Sequence, residues 1–461
     1  MAEPEFSVPV LIVGGGACGA VAALAAHSSG VEPLLIERDP FPSGSTGMSQ
    51  GLFCAAGTRF QKELGIDDSP EQFFEDIMAK SRGEANPKVA RLLADRSREV
   101  LDWLCDEHGF PWTLDERFRA SYGNSRARIH GWSGHNGTEM VQWLHRRLSD
   151  LGVDVLCGTR LVDIIADGNG KVTAVSIEGA DGERTLVGCE AIVLAAGGFG
   201  GNHEMTRKFM PETVAFRYNG HEGSEGDAIF LGEKVGAALG DMGSYQGYAM
   251  LADPCGISTP PNVLIEGGII LNANGERFTD ESKDIAGMVL PLSEQPDGFG
   301  WVVIDENIHQ KCAHIPDFQE LIQLGAVRQV RDVNELSAMS GLPADAVARS
   351  LEEAQNAALS GDEDRFGRSW AGLQAPHGGL YYIRVTGALY HTQGGLEIDD
   401  HARVIRRDGD VFSNMFAGGG SARSVSGSSS WGYLPAMGLT TAVTLGCVAG
   451  QNAAKVAQKS G

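Results

Sequence analysis

The sequence predicts an α/β fold in which a Rossmann-like domain is interrupted by a smaller α+β domain. A buried apolar run, PVLIVG (9–14), leads through the glycine-rich turn of LIVGGGACGA (11–20) into an alanine-rich helix. A second apolar run, EAIVLAAGGFGGN (190–202), also ends in glycines. Between about residues 240 and 370 buried-strand runs become fewer and charge increases, and the glycine-rich buried pattern then returns. One domain with an insertion is the simplest explanation of this order.

The opening strand, turn and helix carry a dinucleotide fingerprint. Gly14, Gly16 and Gly19 have the G-x-G-x-x-G spacing, which allows a tight turn, close approach of a diphosphate to backbone N–H groups, and packing of helix on strand. A second strand, EPLLIE, ends at Glu37, where an acid can bind the ribose hydroxyls of an adenosine. Because strand, helix, second strand and acid are all in register, the turn is predicted to bind a dinucleotide.

Composition excludes several classes of partner. The chain has 461 residues and a net charge of −23, and its charges are dispersed without a basic patch. Nucleic acid and anionic membrane are therefore excluded as partners. Its 62 glycines are about twice the average share and cluster next to apolar strands. Such bare backbone is expected where the chain approaches a large cofactor.

The cysteines and the apolar segments indicate a cytoplasmic protein. The eight cysteines show neither C-x-x-C nor a metal-binding spacing, so no metal is predicted and a reducing compartment is expected. The start, MAEPEFS, lacks the basic segment and apolar core of a signal peptide. The apolar stretch 434–450 contains several Gly and Thr residues, which favours a buried helix over stable membrane insertion.

These patterns suggest domain boundaries at residues 1–240, 241–372 and 373–461. Helical pattern dominates from about 69 to 151, and strands resume from 153. The insertion contains GIILNANGERFTDE (268–281), whose Arg277 is expected to pack or form an ion pair within the domain. It also contains a predicted helix pair (333–368) with a turn at 341–343.

Seven stretches in order resemble the flavoprotein family of fumarate reductase, succinate dehydrogenase and the 3-ketosteroid dehydrogenases. They are VGGGACG with Glu37, AAGGFGGN, EGDAIFLGEKVGA, LNANGERFTDE, HTQGGLEID, MFAGGG and the C-terminal helix. The resemblance implies a glutathione-reductase-type FAD-binding domain with a mobile capping domain, and a small-molecule substrate enclosed between the cap and the flavin. It also implies an external electron acceptor, and it leaves a homo-oligomer open.

The matching motifs imply a set of FAD-binding residues. These are Gly14, Gly16, Ala17, Cys18, Gly19, Glu37, Arg38, Ser45, Thr46, Ser49, Gly51, Val162, Ala196, Gly197, Gly198, Asn202, Asp227, Gly419, Gly420, Gly438, Leu439 and Thr440. Members with covalent FAD usually attach it through a histidine in the loop after the second strand. The corresponding loop here, PSGSTGMSQG, has no histidine, so FAD is expected to be non-covalent.

The arginines with which fumarate reductases hold a dicarboxylate are missing. One of the two positions is Ile285, and the other region reads SSSWGYLPAMG. Of that set of residues only His391, in YHTQGG, remains. Because a desolvated carboxylate without Arg or Lys partners costs several kcal/mol, fumarate and succinate are not expected as substrates.

The C-terminal segment instead resembles the ketosteroid Δ4- and Δ1-dehydrogenases, in which a tyrosine hydroxyl and a glycine N–H hold the substrate's ketone oxygen. Tyr433 and Gly438 match that pattern. Two preorganised donors would stabilise the enolate charge that forms when an α-proton leaves. An apolar lining is expected from Trp431, Leu434 and Met437. Where the Δ4 enzymes have a serine, this chain has Pro435, so their base relay cannot be carried over.

The residue that accepts the α-proton is left open. Tyr245 and Tyr248, in GSYQGYAM, are candidates by position, and Tyr122, Tyr381, Tyr382 and Tyr390 are others. The favoured activity is desaturation of a cyclic or steroid-like ketone next to its carbonyl. The first alternative is an enoate reductase or a carboxylic-acid dehydrogenase of the tricarballylate type, with Arg423 or Arg384 as the carboxylate anchor. The second is a flavin-binding redox sensor or carrier without turnover.

Overall fold

The computed structural model describes residues 3–134 and 136–460, which form two compact units. The first unit contains the chain up to Met210, Gly220–Tyr245 and the chain from His391 onward. The second contains Pro211–Asn219 and Gln246–Tyr390. The sequence had suggested a return to the first domain at residue 373. The second unit extends further because residues 380–386 pair with residues 299–305 of the same unit.

The strands are distributed along the chain between residues 6 and 417. In chain order they are β1 (Phe6–Val13), β2 (Pro33–Glu37), β3 (Phe53–Cys54), β4 (Thr113–Leu114), β5 (Ile129–Gly131), β6 (Asp154–Cys157), β7 (Arg160–Ala166), β8 (Val172–Glu178), β9 (Arg184–Leu194), β10 (Arg217–Tyr218), β11 (Leu239–Gly240), β12 (Tyr245–Ala252), β13 (Ile269–Leu271), β14 (Phe299–Asp305), β15 (Arg328–Val330), β16 (Leu380–Thr392), β17 (Gly395–Leu396), β18 (Arg403–Ile405) and β19 (Val411–Ala417).

The helices include three long ones, α5, α14 and α15. In chain order they are α1 (Ala17–Ser28), α2 (Gly44–Gly47), α3 (Arg59–Glu63), α4 (Pro70–Lys80), α5 (Pro87–Asp106), α6 (Gly137–Asp150), α7 (His203–Phe209), α8 (Asp227–Lys234), α9 (Asn262–Ile265), α10 (Val289–Ser293), α11 (Glu306–Cys312), α12 (Pro316–Gln323), α13 (Val333–Ser340), α14 (Ala344–Ser360) and α15 (Met437–Ser460).

The first unit is organised around a mainly parallel sheet with the strand order β18-β19-β9-β1-β2-β6. Strand β1 pairs in parallel with both β2 and β9, so Ile12 lies between Leu35 and Val193. Residues 10–13 of β1 and 33–36 of β2 are buried without interruption, as expected for parallel strands covered on both faces. The predicted α/β fold with a Rossmann-like domain is confirmed.

Helices α1 and α15 pack closely against each other beside this sheet. A β-carbon on Gly446 would lie 2.4 Å from the carbonyl oxygen of Cys18, and one on Gly450 would lie 2.2 Å from that of Ala22. The glycines of α15 therefore allow backbone contact between the two helices, which places the start of α15 beside the glycine turn. Across residues 3–134 and 136–460, no helix is both long enough and apolar enough to cross a bilayer.

The second unit has its own sheet, with β16 pairing with β10, β12, β14 and β15. Its core includes Trp301, Trp370 and Leu351, and the predicted helix pair is present as α13 and α14. Buried Arg277 forms ion pairs of 2.7 Å with both Glu281 and Asp364. Arg277 is therefore a packing residue of this unit, as its sequence context indicates.

Candidate active site

The glycine turn after β1 can be formed only by residues without a side chain. Gly14 has φ +107°, and a β-carbon there would lie 2.4 Å from the carbonyl oxygen of Ala195. A β-carbon on Gly19 would lie 1.8 Å from the carbonyl oxygen of Gly14. The first turn of α1 therefore packs directly on the strand end, with its backbone N–H groups at the loop that is predicted to bind a diphosphate.

Glu37 closes this turn from the end of β2. One oxygen of its carboxylate accepts from Gly15 N at 2.6 Å, and the other accepts from Asp39 N at 2.8 Å. The hydroxyl of Thr46 accepts from Ala17 N at 2.9 Å, at the start of α1. The acid and the hydroxyl that were predicted to bind a dinucleotide thus lie on either side of the glycine turn.

Two further glycine turns meet the first one. A β-carbon on Gly420 would lie 2.6 Å from Gly198 N, and one on Gly419 would lie 3.2 Å from Cys18 Cβ. Gly197 has φ +77°, and its carbonyl accepts from the hydroxyl of Ser421 at 3.0 Å. The structure therefore brings together three predicted segments that are far apart in sequence. Their bare backbone fits a large planar cofactor with a diphosphate.

His145 was missed by sequence reasoning. Its Nε2 lies 2.6 Å from the carbonyl oxygen of Gly15, within the fingerprint itself. Burial lowers the pKa of this imidazole, while its contact with the carbonyl of Gly15 opposes the shift. Helix α6 brings the residue to the turn from 130 positions away. No local motif around His145 signals this contact.

Several other predicted FAD residues have partners within the protein. Arg38 faces two acids at the start of α8, with Glu225 in the preceding loop at 3.4 Å and Asp227 in the helix at 3.9 Å. Asn202 caps α7 by accepting from Glu204 N and Met205 N. These contacts place Arg38 and Asp227 together, whereas the Asn202 side chain acts in the capping of a helix.

The remaining predicted FAD residues lie in loops or on neighbouring elements. Ser45 and Thr46 lie in α2, Val162 lies in β7, and Ala196 lies two residues after the end of β9. The hydroxyl of Ser49 donates to Thr46 O and accepts from Gly51 N. Leu439 and Thr440 lie in the first turn of α15, where Thr440 accepts from Cys54 N at 2.8 Å. Their contacts with FAD remain predictions.

The segment before α15 has a constrained backbone. Residues 430–432 form a 3₁₀ turn, and a β-carbon on Gly432 would lie 1.7 Å from the carbonyl oxygen of Ser426. Ala436 adopts φ +66°, a left-handed conformation that is unfavourable for a residue with a β-carbon. Leu434 and Met437 are buried, while the ring of half-buried Trp431 lies under the guanidinium of Arg82. This backbone fixes where Tyr433 and Gly438 lie.

Tyr433, Gly438 and His391 converge on one small space. The backbone N of Gly438 donates to the hydroxyl of Tyr433 at 3.2 Å. The rings of His391 and Tyr433 meet edge to face at 5.6 Å. A β-carbon on Gly438 would lie 2.9 Å from His391 Nε2 and 3.3 Å from the Tyr433 hydroxyl. Because glycine has no β-carbon, a substrate atom can approach all three groups there.

Burial keeps both side chains of this group uncharged. Desolvation raises the pKa of Tyr433 well above its usual value, so the hydroxyl retains its proton. Desolvation lowers the pKa of His391 to about 4, so its imidazole is neutral at ordinary pH. The site therefore offers neutral hydrogen-bond donors, which suit an uncharged acceptor that gains negative charge during a reaction.

The two arginines proposed as carboxylate anchors are already paired. Arg423 lies 2.7 Å from carboxylate oxygens of both Asp241 and Glu397, and these contacts raise its pKa. Arg384 lies 2.7 Å from Asp253 in the second unit. Each guanidinium is thus neutralised by acids of the protein itself, which leaves little reason for either to bind a substrate carboxylate.

The tyrosines proposed as bases have different surroundings. Tyr248 lies in the second unit, where its hydroxyl donates to the carbonyl of Thr259 and its ring stacks on Tyr390. Buried Tyr245 is the last residue of the middle segment of the first unit.

The other tyrosine candidates also have defined environments. The hydroxyls of Tyr390 and Ser258 are hydrogen-bonded to each other, while the hydroxyl of Tyr381 donates to the carboxylate of Glu306. Tyr382 is 3.4 Å from Arg328, and Tyr122 is buried with φ +53°. None of these contacts identifies the base.

Comparison with known proteins identifies the cofactor. Residues 9–437 match a family model described as an FAD binding domain. The chain belongs to this family. The resemblance to the fumarate reductase and succinate dehydrogenase flavoproteins is thereby confirmed, and so is FAD as the cofactor. The three glycine turns, with Glu37 beside them, are the residues that fit it.

This FAD-binding protein is similar to reductases and to a dehydrogenase. It is 28% identical over 457 residues to a fumarate reductase (cytochrome) of Shewanella frigidimarina, covering 99% of this chain and 79% of that protein. It is 28% identical to a urocanate reductase of Eggerthella lenta, covering 98% of this chain and 75% of the relative.

A solved 3-ketosteroid-Δ4-(5α)-dehydrogenase from Rhodococcus jostii has a similar fold, with a TM-score of 0.81 and 22% identity. The structural alignment covers 98% of this chain and 98% of the dehydrogenase chain. The ketosteroid dehydrogenase therefore shares the fold, and the family match makes this protein an FAD-dependent oxidoreductase.

Proposed function

We propose that this flavoprotein is a dehydrogenase that introduces a carbon–carbon double bond next to the carbonyl of a cyclic or steroid-like ketone. The observation that carries the proposal is the convergence of the Tyr433 hydroxyl, the Gly438 N–H and His391 Nε2 on the space beside Gly438. All three belong to the first unit, which also contains the FAD-binding turns.

The distance between Tyr433 and Gly438 suits one shared acceptor. With the hydroxyl oxygen 3.2 Å from the backbone nitrogen, a single oxygen atom can accept from both at an ordinary length of about 2.9 Å. Neutral donors of this kind stabilise an oxygen more strongly as it becomes an enolate than as a ketone. The arrangement thus favours the transition state over bound substrate.

The proposed reaction removes two hydrogens from adjacent carbons. A base takes the α-proton, the C–H electrons move toward the carbonyl oxygen, and the double bond forms as the β-hydrogen leaves with its electron pair. FAD, when bound, supplies the hydride acceptor. The protein's own part is to hold the ketone oxygen at Tyr433 and Gly438, where its developing charge is stabilised. Tyr245 and Tyr248 remain the candidates for the base.

The proposal that the substrate is a ketone depends on electrostatics. A carboxylate at the same place would need a cation, because neutral donors alone do not offset the cost of desolvating a full charge. Arg423 and Arg384 are held by carboxylates of the protein, and His391 is neutral. An uncharged carbonyl therefore fits the site better than fumarate or succinate.

Reduction of an enoate is the second candidate. It is favoured by the relatives, whose names include a fumarate reductase and a urocanate reductase. Hydride would then move in the opposite direction, to the unsaturated substrate, whose carboxylate would need a cationic partner. A carboxylic-acid dehydrogenase would need a cationic anchor other than the two paired arginines.

Anaerobic flavin reduction distinguishes these activities. The FAD-loaded protein is mixed with saturated cyclic ketones, steroid ketones and saturated carboxylic acids, and loss of the oxidised flavin absorbance is followed. Dithionite-reduced protein is mixed in parallel with enones and enoates, and reoxidation is followed. The proposal expects bleaching by ketones. Bleaching by acids alone, or reoxidation by enoates without any reaction of ketones, would contradict it.

Gly438→Ala tests whether the substrate oxygen binds in the space beside Gly438. The added methyl group would lie 2.9 Å from His391 Nε2 and would fill the space beside Tyr433. We expect it to abolish bleaching by ketones, and because Gly438 is also expected to contact FAD, the variants are compared per mole of bound FAD. If Gly438→Ala turned over ketones normally, the substrate oxygen would not bind there.

A further inference from the structure

We infer that Gln393 is a positioning residue, which fixes the tautomer of His391 so that the ring presents an Nε2–H donor to an uncharged substrate oxygen. The inference rests on the proposed function, since it takes the space beside Gly438 as the place of that oxygen. It adds a third neutral donor to Tyr433 and Gly438, which suits an uncharged carbonyl oxygen.

The contact between Gln393 and His391 identifies which ring nitrogen carries the proton. Gln393 Nε2 lies 2.9 Å from His391 Nδ1. An amide nitrogen can only donate, so Nδ1 accepts this bond and carries no proton itself. The carbonyl oxygen of Thr392 also lies near Nδ1, at the longer distance of 3.4 Å. The shorter contact, with Gln393, determines the protonation of Nδ1. A proton on Nδ1 would bring two N–H donors within 2.9 Å of each other, where they would repel.

The groups around the Gln393 amide favour one orientation of it. Its Oε1 accepts from the hydroxyl of Ser426 at 2.9 Å, and its Nε2 lies 3.5 Å from the carbonyl oxygen of Thr392. A carbonyl oxygen can only accept, so the amide nitrogen belongs on the side facing Thr392 and His391. The polar cluster of Gln393, Ser426 and Thr392 is almost fully buried, at 4%, 2% and 1% exposure.

The backbone holds this cluster in place. Gln393 N donates to Ser244 O and its carbonyl accepts from Ser424 N, each at 2.8 Å. Thr392 Oγ1 accepts from Phe199 N at 3.2 Å, at the glycine turn that follows β9. With the backbone held, moving the side chain away from His391 would break the buried hydrogen bond between Gln393 Oε1 and Ser426.

The consequence appears on the other side of the ring. Once Nδ1 accepts, a neutral imidazole must carry its proton on Nε2. That nitrogen is the one 2.9 Å from the β-carbon position of Gly438. Desolvation lowers the pKa of His391 to about 4, so the ring is a neutral donor and not an imidazolium. A neutral donor binds a ketone oxygen, whereas a carboxylate would favour the cation.

The tautomer can be measured directly. The FAD-loaded protein is labelled with ¹⁵N-histidine, and long-range ¹H–¹⁵N correlations are recorded, with His391→Gln identifying the signals of residue 391. We expect the pattern of an Nε2-protonated neutral ring. An Nδ1-protonated or doubly protonated ring at neutral pH would overturn the inference, whatever the substrate proves to be.

Gln393→Glu tests whether the amide is the cause. A carboxylate cannot donate to Nδ1, so the proton should move to Nδ1 or a second proton should be added, and the NMR pattern should change. Gln355→Glu introduces the same charge where an amide donates to the carbonyl of Pro376, and should leave His391 unchanged. An unchanged His391 tautomer in Gln393→Glu would refute the role of Gln393.

Kinetics separate this inference from the proposed function. Where NMR shows the proton of Gln393→Glu on Nδ1 alone, kcat for a ketone should fall roughly ten- to hundredfold, with a smaller change in KM, because a transition-state donor is lost. A doubly protonated ring keeps its Nε2 donor, so kcat should then be retained. A changed tautomer with unchanged kcat would show that His391 does not donate to the substrate. If the wild-type protein does not oxidise ketones, the proposed function fails, while the NMR experiment still decides the role of Gln393. If Gln393→Glu does not fold, Ser426→Ala replaces it, and a mixture of tautomers is expected.

Discussion

The backbone N–H of Gly438 donates to the hydroxyl of Tyr433 at 3.2 Å, five residues before it. The hydroxyl accepts this bond, so its own proton remains available for a different acceptor. Burial raises the pKa of Tyr433 and keeps that proton in place. When a substrate oxygen replaces the bond between Gly438 and Tyr433, it can accept one hydrogen bond from the Gly438 N–H and one from the Tyr433 hydroxyl.

Tyr433→Phe is expected to remove one of these donors and leave the packing intact. The loss should cost about 3–4 kcal/mol of transition-state stabilisation, or roughly a hundred- to a thousandfold in kcat. KM should change far less, because a neutral ketone accepts a weaker hydrogen bond than an enolate. Steady-state kinetics with the best ketone, together with FAD content and Tm, check this. A loss in kcat below about threefold would contradict the mechanism.

Glu37→Ala should weaken FAD binding. The carboxylate accepts from Gly15 N and Asp39 N and lies beside the turn that fits the cofactor. Loss of a charged acceptor should cost roughly 1–3 kcal/mol of binding free energy, measured by fluorescence titration of the apoprotein with FAD. Glu32→Ala is the control, because this exposed acid pairs only loosely with His27 at 3.4 Å. Equal FAD affinity in the two variants would argue against the role of Glu37.

FAD is expected to be released by acid. The loop after β2 has no histidine for covalent attachment, and Thr46 contributes a hydroxyl bonded to Ala17 N. Precipitation with trichloroacetic acid should leave all yellow colour in the supernatant and a colourless pellet. Flavin fluorescence that stays with the denatured chain on a gel would show a covalent bond.

Local spacing allowed much of this site to be predicted. The glycine fingerprint depends on close approaches within one turn, such as Gly19 against Gly14, so the sequence itself reports it. The donor pair Tyr433 and Gly438 is likewise separated by only five positions. Such contacts are set by the local backbone, which the residue types strongly constrain.

Contacts made by tertiary packing were not predictable. His145 reaches Gly15 from another helix, and Ser426 reaches Gln393 across 33 positions. Neither residue lies in a motif that names its partner. The boundary at which the chain returns to the first unit, after residue 390 and not at 373, also depends on a distant contact. It is set by the pairing of β16 with β14. Chain-distant partners depend on the whole fold and leave no local pattern.

Arg423→Ala should affect stability more than substrate binding. The guanidinium pairs with Asp241 and Glu397, whose carboxylates would lose their shared cation. We expect the free energy of unfolding to fall by up to about 3 kcal/mol, with KM unchanged within about twofold. Arg331→Ala removes an exposed pair with Glu335, where Arg331 is 85% exposed, and should change neither quantity. A steep rise in KM for a carboxylic acid with normal stability would support the acid-dehydrogenase alternative.

Buried His130 should make the protein less stable as the pH falls. Its Nδ1 lies 2.9 Å from Arg128 O and its Nε2 lies 3.0 Å from the Thr58 hydroxyl, and the side chain is 0% exposed. Desolvation lowers the pKa of His130 to about 4. In the unfolded chain the pKa is about 6.5, so below that pH the unfolded state binds a proton that the folded state excludes.

The sign and size of this effect follow from the two pKa values. The contribution of His130 is fully present above about pH 6.5 and is lost as the pH falls toward about 4. Between about pH 7.5 and about pH 5.5, the free energy of unfolding should fall by about 1.3 kcal/mol more in the wild type than in His130→Gln. Urea titrations at both pH values measure this. Exposed His203→Gln should behave like the wild type, whereas an identical pH dependence of wild type and His130→Gln would show that His130 is protonated as readily in the folded protein as in the unfolded chain.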